Sequence, residues 1–405
     1  MKQKNAGFFK RLHCRSVQFF LKIVLPFTPN KTPKLLEGVA DVPSALKAHG
    51  KKHPLLVTGK TVRGLGLTAP LEAALKEAGL FYTVYDGTSP NPTIDNAEEG
   101  YKLYLSEGCD SLIGFGGGSP LDCAKCIGAR VARPKKPLQK MGGVLKVKKK
   151  IPLLVAIPTT AGTGSETSPA AVVIDSETQH KYAVTDFKLV PSYAVLDETL
   201  CASLPKHTVA ATGIDALTHA IEAYINHGAL GKRDALEAIK LIFENLEKSY
   251  AGDMSAKKHM LLASNLAGRA FSRAYVGYVH ALAHALGGKY NVSHGLANAI
   301  ILPLVLREYG KAIYKKLWKV ARYCNLADKT TPYREGAQII IDKIEAMNSA
   351  LGIGNTIEEI RLEDLDTLAA FADKEANPFY PVPVIWDKKR LKGIYLKLSG
   401  KNDQV

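Results

Sequence analysis

The chain has 405 residues, 46% of them hydrophobic, enough for more than one large core and with no sign of a disordered, collagenous or repeat sequence. Its formal charge of +16 is concentrated: residues 1–36 and 133–150 each hold eight Lys or Arg and no acid, which leaves 38 basic against 38 acidic residues elsewhere. A neutral body argues against a nucleic-acid-binding surface, while the two basic segments are local anion-facing patches.

In chain order, residues 17–27 (VQFFLKIVLPF) come first. The run is short of the roughly 20 apolar residues that span a bilayer. No convincing small-residue cleavage site follows it, so it predicts an amphipathic docking helix in an extension covering residues 1–35. Packing on protein is the favoured role, with a weak membrane contact through residues 1–30 as the alternative.

From residue 54 short apolar runs alternate with amphipathic stretches. Strands are expected at 54–58, 81–85, 111–115 and 152–157, with helices at 67–78, 93–106 and 119–131 between them. Further extended segments fall at 170–174, 181–184 and 193–196. Strands alternating with helices predict a parallel, doubly wound, Rossmann-like α/β domain over 36–205. After Leu204-Pro205 the periodicity is helical, with helices at 208–226, 233–249, 256–274, 294–309 and 333–350, so 206–405 is expected to be all-helical. A ligand is expected in the crevice between the halves, near the carboxyl ends of the strands.

Gly114-Phe115-Gly116-Gly117-Gly118-Ser119-Pro120 joins an expected strand to an expected helix. Glycines let a phosphate approach the backbone, and the helix N-terminus offers free N–H groups and a favourable dipole. The loop is not GxGxxG, so the common dinucleotide fingerprint does not apply. A second polar loop, Pro158 to Glu166, carries Thr159, Thr160 and Thr163 after the next strand. Two such loops after adjacent strands point to one shared dinucleotide. Cys123 and Cys126 form a CxxC with no second pair to complete a zinc site, so free packed thiols of a reducing, cytoplasmic compartment are the simpler reading.

Asp215 and His219 lie four residues apart, as do His280 and His284, and His294 follows. At that spacing two side chains share a helix face. The apolar neighbours (HALAHALGG) imply burial, and buried imidazoles and carboxylates need partners. Asp215, His219, His280 and His294 together make a metal set of three nitrogens and one oxygen, which suits zinc, iron(II), manganese or cobalt.

On these residues the chain resembles the iron-containing alcohol dehydrogenases. The resemblance rests on YDGTSPNPT (85–93), GFGGGSPLDCAK (114–125), AIPTTAGTGSE (156–166), ATGIDALTHAIEAY (211–224) and GYVHALAHALGGKYNVSHGLANAIILP (277–303). It implies a dinucleotide domain, a helical metal-binding domain of dehydroquinate-synthase-like architecture, a metal between them and a homodimer. It puts the metal on Asp215, His219, His280 and His294, with iron(II) expected and zinc the alternative. His284 then falls near the nicotinamide as a candidate proton relay, and Phe271 in the substrate pocket. Gly117, Gly118, Ser119, Asp122, Thr159, Thr160, Thr163 and Lys181 fall at cofactor-contacting positions.

The implied activity is reversible hydride transfer between NAD(P) and a small primary alcohol or aldehyde. A glycerol-type polyol dehydrogenase and a non-catalytic nucleotide-binding protein are the alternatives. One departure bears on the cofactor. Some NAD-preferring members have an Asp after the first strand, where this chain has Gly59 followed by Lys60. Loss of a carboxylate that would repel a 2′-phosphate favours NADP(H) over NAD(H).

Overall fold

A computed structural model describes residues 6–29, 31–177 and 181–401. The chain forms two compact units: one runs from Pro29 to Leu204, and the other joins the segment before it to Pro205 onward. Residues 1–5 and 402–405, part of the expected N-terminal extension and of the expected helical domain, lie outside the described residues.

The chain opens with helix α1 (Phe8–Val24), which starts nine residues before the apolar run that announces it. The α/β unit follows with β1 (Lys34–Leu36), α2 (Val42–Lys47), β2 (Pro54–Val57), α3 (Lys60–Gly64), α4 (Ala69–Glu77), β3 (Thr83–Tyr85), α5 (Ile94–Ser106), β4 (Ser111–Gly116) and α6 (Gly118–Ala132). It continues with β5 (Gly143–Val144), β6 (Leu153–Pro158), β7 (Ala170–Ile174), β8 (Lys181–Thr185) and β9 (Tyr193–Val195). Six strands form one parallel sheet in the order β1-β9-β6-β4-β2-β3. The segments at 170–174 and 181–185 do not join it: β7 and β8 pair antiparallel in a separate three-stranded sheet with β5.

A parallel sheet is buried on both faces, so its central strands are almost wholly apolar. Successive side chains alternate between two cores. Leu55, Val57 and Leu112 pack with Ala97 of α5 and Ile127 of α6. Leu56, Ile113, Phe115, Val155 and Ile157 pack with Leu46 of α2 and Leu71 and Leu75 of α4. This is the doubly wound α/β arrangement expected from the sequence. Five of the six cysteines are buried, and Cys123 and Cys126 are free, buried thiols.

In the second unit the elements after Pro205 are helical: α7 (Lys206–Ile225), α8 (Lys232–Ala251), α9 (Met254–Ala274), α10 (Tyr278–Tyr290), α11 (His294–Tyr309), α12 (Tyr314–Tyr323), α13 (Tyr333–Ala350), α14 (Leu365–Ala376) and α15 (Lys388–Leu398), apart from short 3-10 turns. α7 is buried on nearly every side because α8, α9 and α11 pack around it. α10 packs on α11 and α14, with Tyr278 stacked on Trp386 at 4.7 Å. The described helices include none long and apolar enough to cross a membrane.

Candidate metal centre and dinucleotide loops

Within the helical unit, three helices bring the sequence-predicted ligands together. α7 supplies Asp215 and His219 from adjacent turns, α10 supplies His280, and α11 begins with His294. A Cβ added at Gly295 would lie 2.4 Å from the Ala211 carbonyl oxygen, so glycine there lets α11 press its first turn, and His294 with it, onto α7. Candidate ligand atoms of Asp215, His219 and His280 all lie within 4.8 Å of one another, and all three residues are buried. The Asp215 Oδ1 atom is 3.5 Å from His294 Nε2, 3.8 Å from His280 Nε2 and 4.0 Å from His219 Nδ1.

Two residues that sequence reasoning missed organise this cluster. Glu222, one turn beyond His219, accepts hydrogen bonds from Gly277 N–H, Val279 N–H and His280 Nδ1, each at 2.7 Å. A proton held on Nδ1 leaves the Nε2 lone pair of His280 toward Asp215. Burial pushes the Glu222 carboxyl up to about 7, against the pull of its three donors. Asn298, one turn after His294, donates to Asp215 Oδ1 at 2.7 Å, and its Nδ2 stands 3.3 Å from His280 Nε2 and 3.1 Å from His294 Nε2. The signal for both was a polar residue one helical turn beyond a candidate ligand.

The set fits a divalent metal. A buried carboxylate faces three imidazoles, and burial together with the neighbouring histidines holds His280 neutral, well below the usual histidine range. A neutral imidazole is the ligating form. Asn298 Oδ1 is buried without a hydrogen-bond partner among the described residues, which marks a polar pocket.

His284 is engaged elsewhere. Its Nδ1 lies 2.7 Å from Glu375 Oε1, which also accepts from the Tyr380 hydroxyl at 2.9 Å. Its ring stacks on His294 at 5.0 Å, and its side chain is 38% exposed, against 2% for His280. Phe271 stacks on His219 at 4.4 Å, so its ring forms part of the wall of the cluster.

The α/β unit assembles the two polar loops. β4 ends at Gly116, whose φ of 143° excludes other residues, and α6 starts at Gly118 with no side chain capping its N-terminus. The second loop packs on the first: a Cβ at Gly118 would lie 3.1 Å from Thr163 Cγ2, and Thr159 N–H donates to Gly116 at 2.9 Å. Thr160 Oγ1 is buried with no hydrogen-bond partner among the described residues, 3.6 Å from where a Gly117 Cβ would be. Uncapped N–H groups, a glycine cradle and an orphaned hydroxyl suit a dinucleotide phosphate.

Ser119 donates to the Pro90 carbonyl, and Lys181 Nζ to Asn91 Oδ1 at 3.2 Å. Asp122 is turned into the protein: its oxygens accept from Ser165 Oγ at 2.6 Å and Val172 N–H at 3.0 Å, 3.8 Å from the buried Lys125 Nζ. Lys125 in turn donates to Ser165, Ser168 and the Ala170 carbonyl, a network that holds α6 against the second loop. Lys125 closes the GFGGGSPLDCAK motif, whereas Ser168 lies outside the motifs that carry the resemblance. Gly59 bridges to Gly87 after β2, and the exposed Lys60 opens α3. The nearby Asp86 carboxylate is already paired with Arg63 at 2.8 Å.

A glycine-cradled phosphate loop in one unit and a buried carboxylate–imidazole cluster in the other are the parts of a metal-assisted dinucleotide oxidoreductase. The family pattern "Iron-containing alcohol dehydrogenase" matches residues 36–198, and that of the "Fe-containing alcohol dehydrogenase family, C-terminal" matches 209–397. The chain belongs to the iron-containing alcohol dehydrogenase family. It is 36% identical to a 1,3-propanediol dehydrogenase of Citrobacter freundii over 84% of this chain and 90% of that protein. The crystal structure of a 1,3-propanediol oxidoreductase superposes with a TM-score of 0.87 at 32% identity, over 91% of this chain and 98% of the other.

Two relatives, each 35% identical, differ in the cofactor they are named for. One is an NADPH-dependent butanol dehydrogenase of Clostridium saccharobutylicum, matched over 78% of this chain and 82% of its own. The other is an NAD-dependent methanol dehydrogenase of Bacillus methanolicus, matched over 84% and 92%. The protein is an NAD(P)-linked oxidoreductase of alcohols and aldehydes, with iron and a nicotinamide dinucleotide as the family's cofactors.

Proposed function

We propose that the enzyme is an iron(II)-dependent, NADP(H)-preferring reductase of small aldehydes, running in reverse as an alcohol dehydrogenase. The observation that carries this reading is the convergence of Asp215, His219, His280 and His294, with Glu222 fixing the orientation of His280. These four residues would hold the metal, zinc being the alternative. Held there, the metal would supply a Lewis acid for a carbonyl oxygen, and a bound nicotinamide would supply the hydride donor or acceptor.

The chain's own residues do the rest. Gly117, Gly118, Ser119, Thr159, Thr160 and Thr163 receive the dinucleotide at the α6 N-terminus, and Lys181 adds a positive charge at the edge of that site. Asp122 acts through Ser165 and Val172 to keep the two loops in register. Phe271 supplies an apolar wall that favours small, weakly polar substrates. His284 is part-exposed and oriented by Glu375, so it is the candidate to pass a proton between the substrate oxygen and water.

The NADP(H) preference rests on Gly59, Lys60 and the pairing of Asp86 with Arg63. With Gly59 in place of a carboxylate and Asp86 paired with Arg63, the exposed Lys60 is able to meet a 2′-phosphate. By family expectation the enzyme is a cytoplasmic homodimer, which light scattering tests. The functional test is an anaerobic aldehyde screen with NADPH and NADH on protein reconstituted with iron(II) or zinc. The expected result is iron-dependent oxidation of NADPH with a higher kcat/KM than for NADH. A clear NADH preference overturns the cofactor assignment, and no aldehyde-dependent oxidation with either cofactor overturns the reading.

A further inference from the structure

Helix α1 docks through its polar side. Cys14 and Gln18 are its buried residues. Gln18 Nε2 donates to the Tyr380 and Pro378 carbonyls at 2.7 and 3.2 Å, Arg15 to those of Val382 and Pro383 at 2.9 Å, and Lys10 pairs with Asp373. The apolar side faces outward. At 100° per residue Phe8, Leu12, Phe19 and Ile23 form one stripe with Phe9 and Phe20 beside it. These residues are between 51% and 84% exposed. A helix that merely completed the core would be turned the other way. The family pattern begins at residue 36, so this helix is an addition to the part shared with the family.

We propose that the outward face of α1 binds the surface of a membrane rich in anionic lipid. Charge selects this occupant. The first 36 residues carry eight Lys or Arg and no acid, and Arg11 and Lys22 are exposed along one flank of the stripe. Aromatic side chains at the acyl boundary with basic groups at headgroup level are what an in-plane helix requires. A second copy of the same surface would oppose like charges. At 17 residues, with four Lys or Arg, α1 is too short and too charged to span a bilayer. It lies along the surface, held to its own protein by its inner face.

The test uses the full-length metal-loaded enzyme in sedimentation with phosphatidylcholine vesicles, with and without phosphatidylglycerol. The enzyme is expected to pellet with the anionic vesicles only and to be released by added salt. The variant F8S/F9S/F19S/F20S is expected to keep its melting temperature and its NADPH oxidation while losing vesicle affinity at least about tenfold. The proposal is overturned if the wild type stays in the supernatant with both vesicles, if it binds both equally, or if the variant binds like the wild type. If the four substitutions reduce the oligomer measured by light scattering and vesicles never bind, a second copy covers the face instead. The oxidoreductase assay is read separately, so failure here leaves the catalytic reading standing or falling on its own result.

Discussion

Glu222 shows what a single side chain does for the cluster. Its two oxygens meet three N–H donors, and one of these sets the protonated nitrogen of His280. Glutamine in its place offers one acceptor oxygen and turns an NH2 group toward a donor. Glu222→Gln is therefore expected to weaken metal binding by roughly 10–100-fold, the usual effect of losing the group behind a ligating histidine. Competition with a chromophoric chelator measures this, and wild-type affinity in the variant would remove Glu222 from the account. His284 makes the opposite case. With its Nδ1 bonded to Glu375, it is expected to matter for proton movement and not for the metal. His284→Ala should lower kcat while metal content stays near that of the wild type, and unchanged turnover rules out the relay. The candidate ligands were legible because i, i+4 pairs share a helix face. Glu375 was not, since 91 residues separate it from His284 and its neighbours carry no pattern.

At the scale of an element, α7 carries Asp215, His219 and Glu222, and its last carbonyls are capped by two lysines from beyond the helix, Lys232 at the start of α8 and the distant Lys316. Lys232 Nζ donates to the carbonyls of Ala223, Tyr224 and Asn226, and Lys316 Nζ to those of Ile225 and Asn226. Ammonium groups at a helix C-terminus complement its dipole. Burial, reinforced by repulsion from Lys316, lowers Lys232 to about 7, and burial with repulsion from Arg15 lowers Lys316 to about 8. A lysine with a lower pKa folded than unfolded binds fewer protons in the folded state between the two values. Its contribution to stability is thus absent below the folded value, grows as pH rises through the window above about 7, and is complete above the ordinary lysine range. Wild-type stability toward urea should gain more between pH 7 and 9 than that of Lys232→Met, and equal slopes would show that Lys232 titrates normally. The strands at the centre of the sheet were legible as apolar runs bounded by glycine and proline. The three-residue edge strand Lys34–Leu36 was not, because so short a run has no periodicity, and its partnership with β9 joins residues about 160 positions apart. The antiparallel pairing of β7 with β8 was equally hidden, since an extended pattern says nothing about direction.

For the molecule as a whole, the candidate metal cluster draws on residues spread from Asp215 to His294, so whatever occupies it ties α7, α10 and α11 to one point. A ligand that binds only the folded state stabilises it by RT ln(1 + [L]/Kd), about 2.7 kcal/mol when the free metal is a hundred times its Kd. For a unit of this size that is a rise in Tm of roughly 5–10 °C. Chelation is expected to lower Tm by that order and to speed hydrogen exchange in peptides covering α7, α10 and α11. Peptides from β4 and β6 should exchange as before, because the dinucleotide loops belong to the other unit. Asp215→Asn separates this effect from general damage: it removes the one carboxylate among the four candidate ligands while keeping the size of the side chain. In that variant the chelator should have a smaller effect on both Tm and exchange, since the three histidines alone hold a divalent metal more weakly. A chelator-dependent shift that is undiminished in Asp215→Asn would mean that the stabilising metal is held elsewhere, and the cluster would then have to be read as a buried hydrogen-bonded network organised by Glu222 and Asn298.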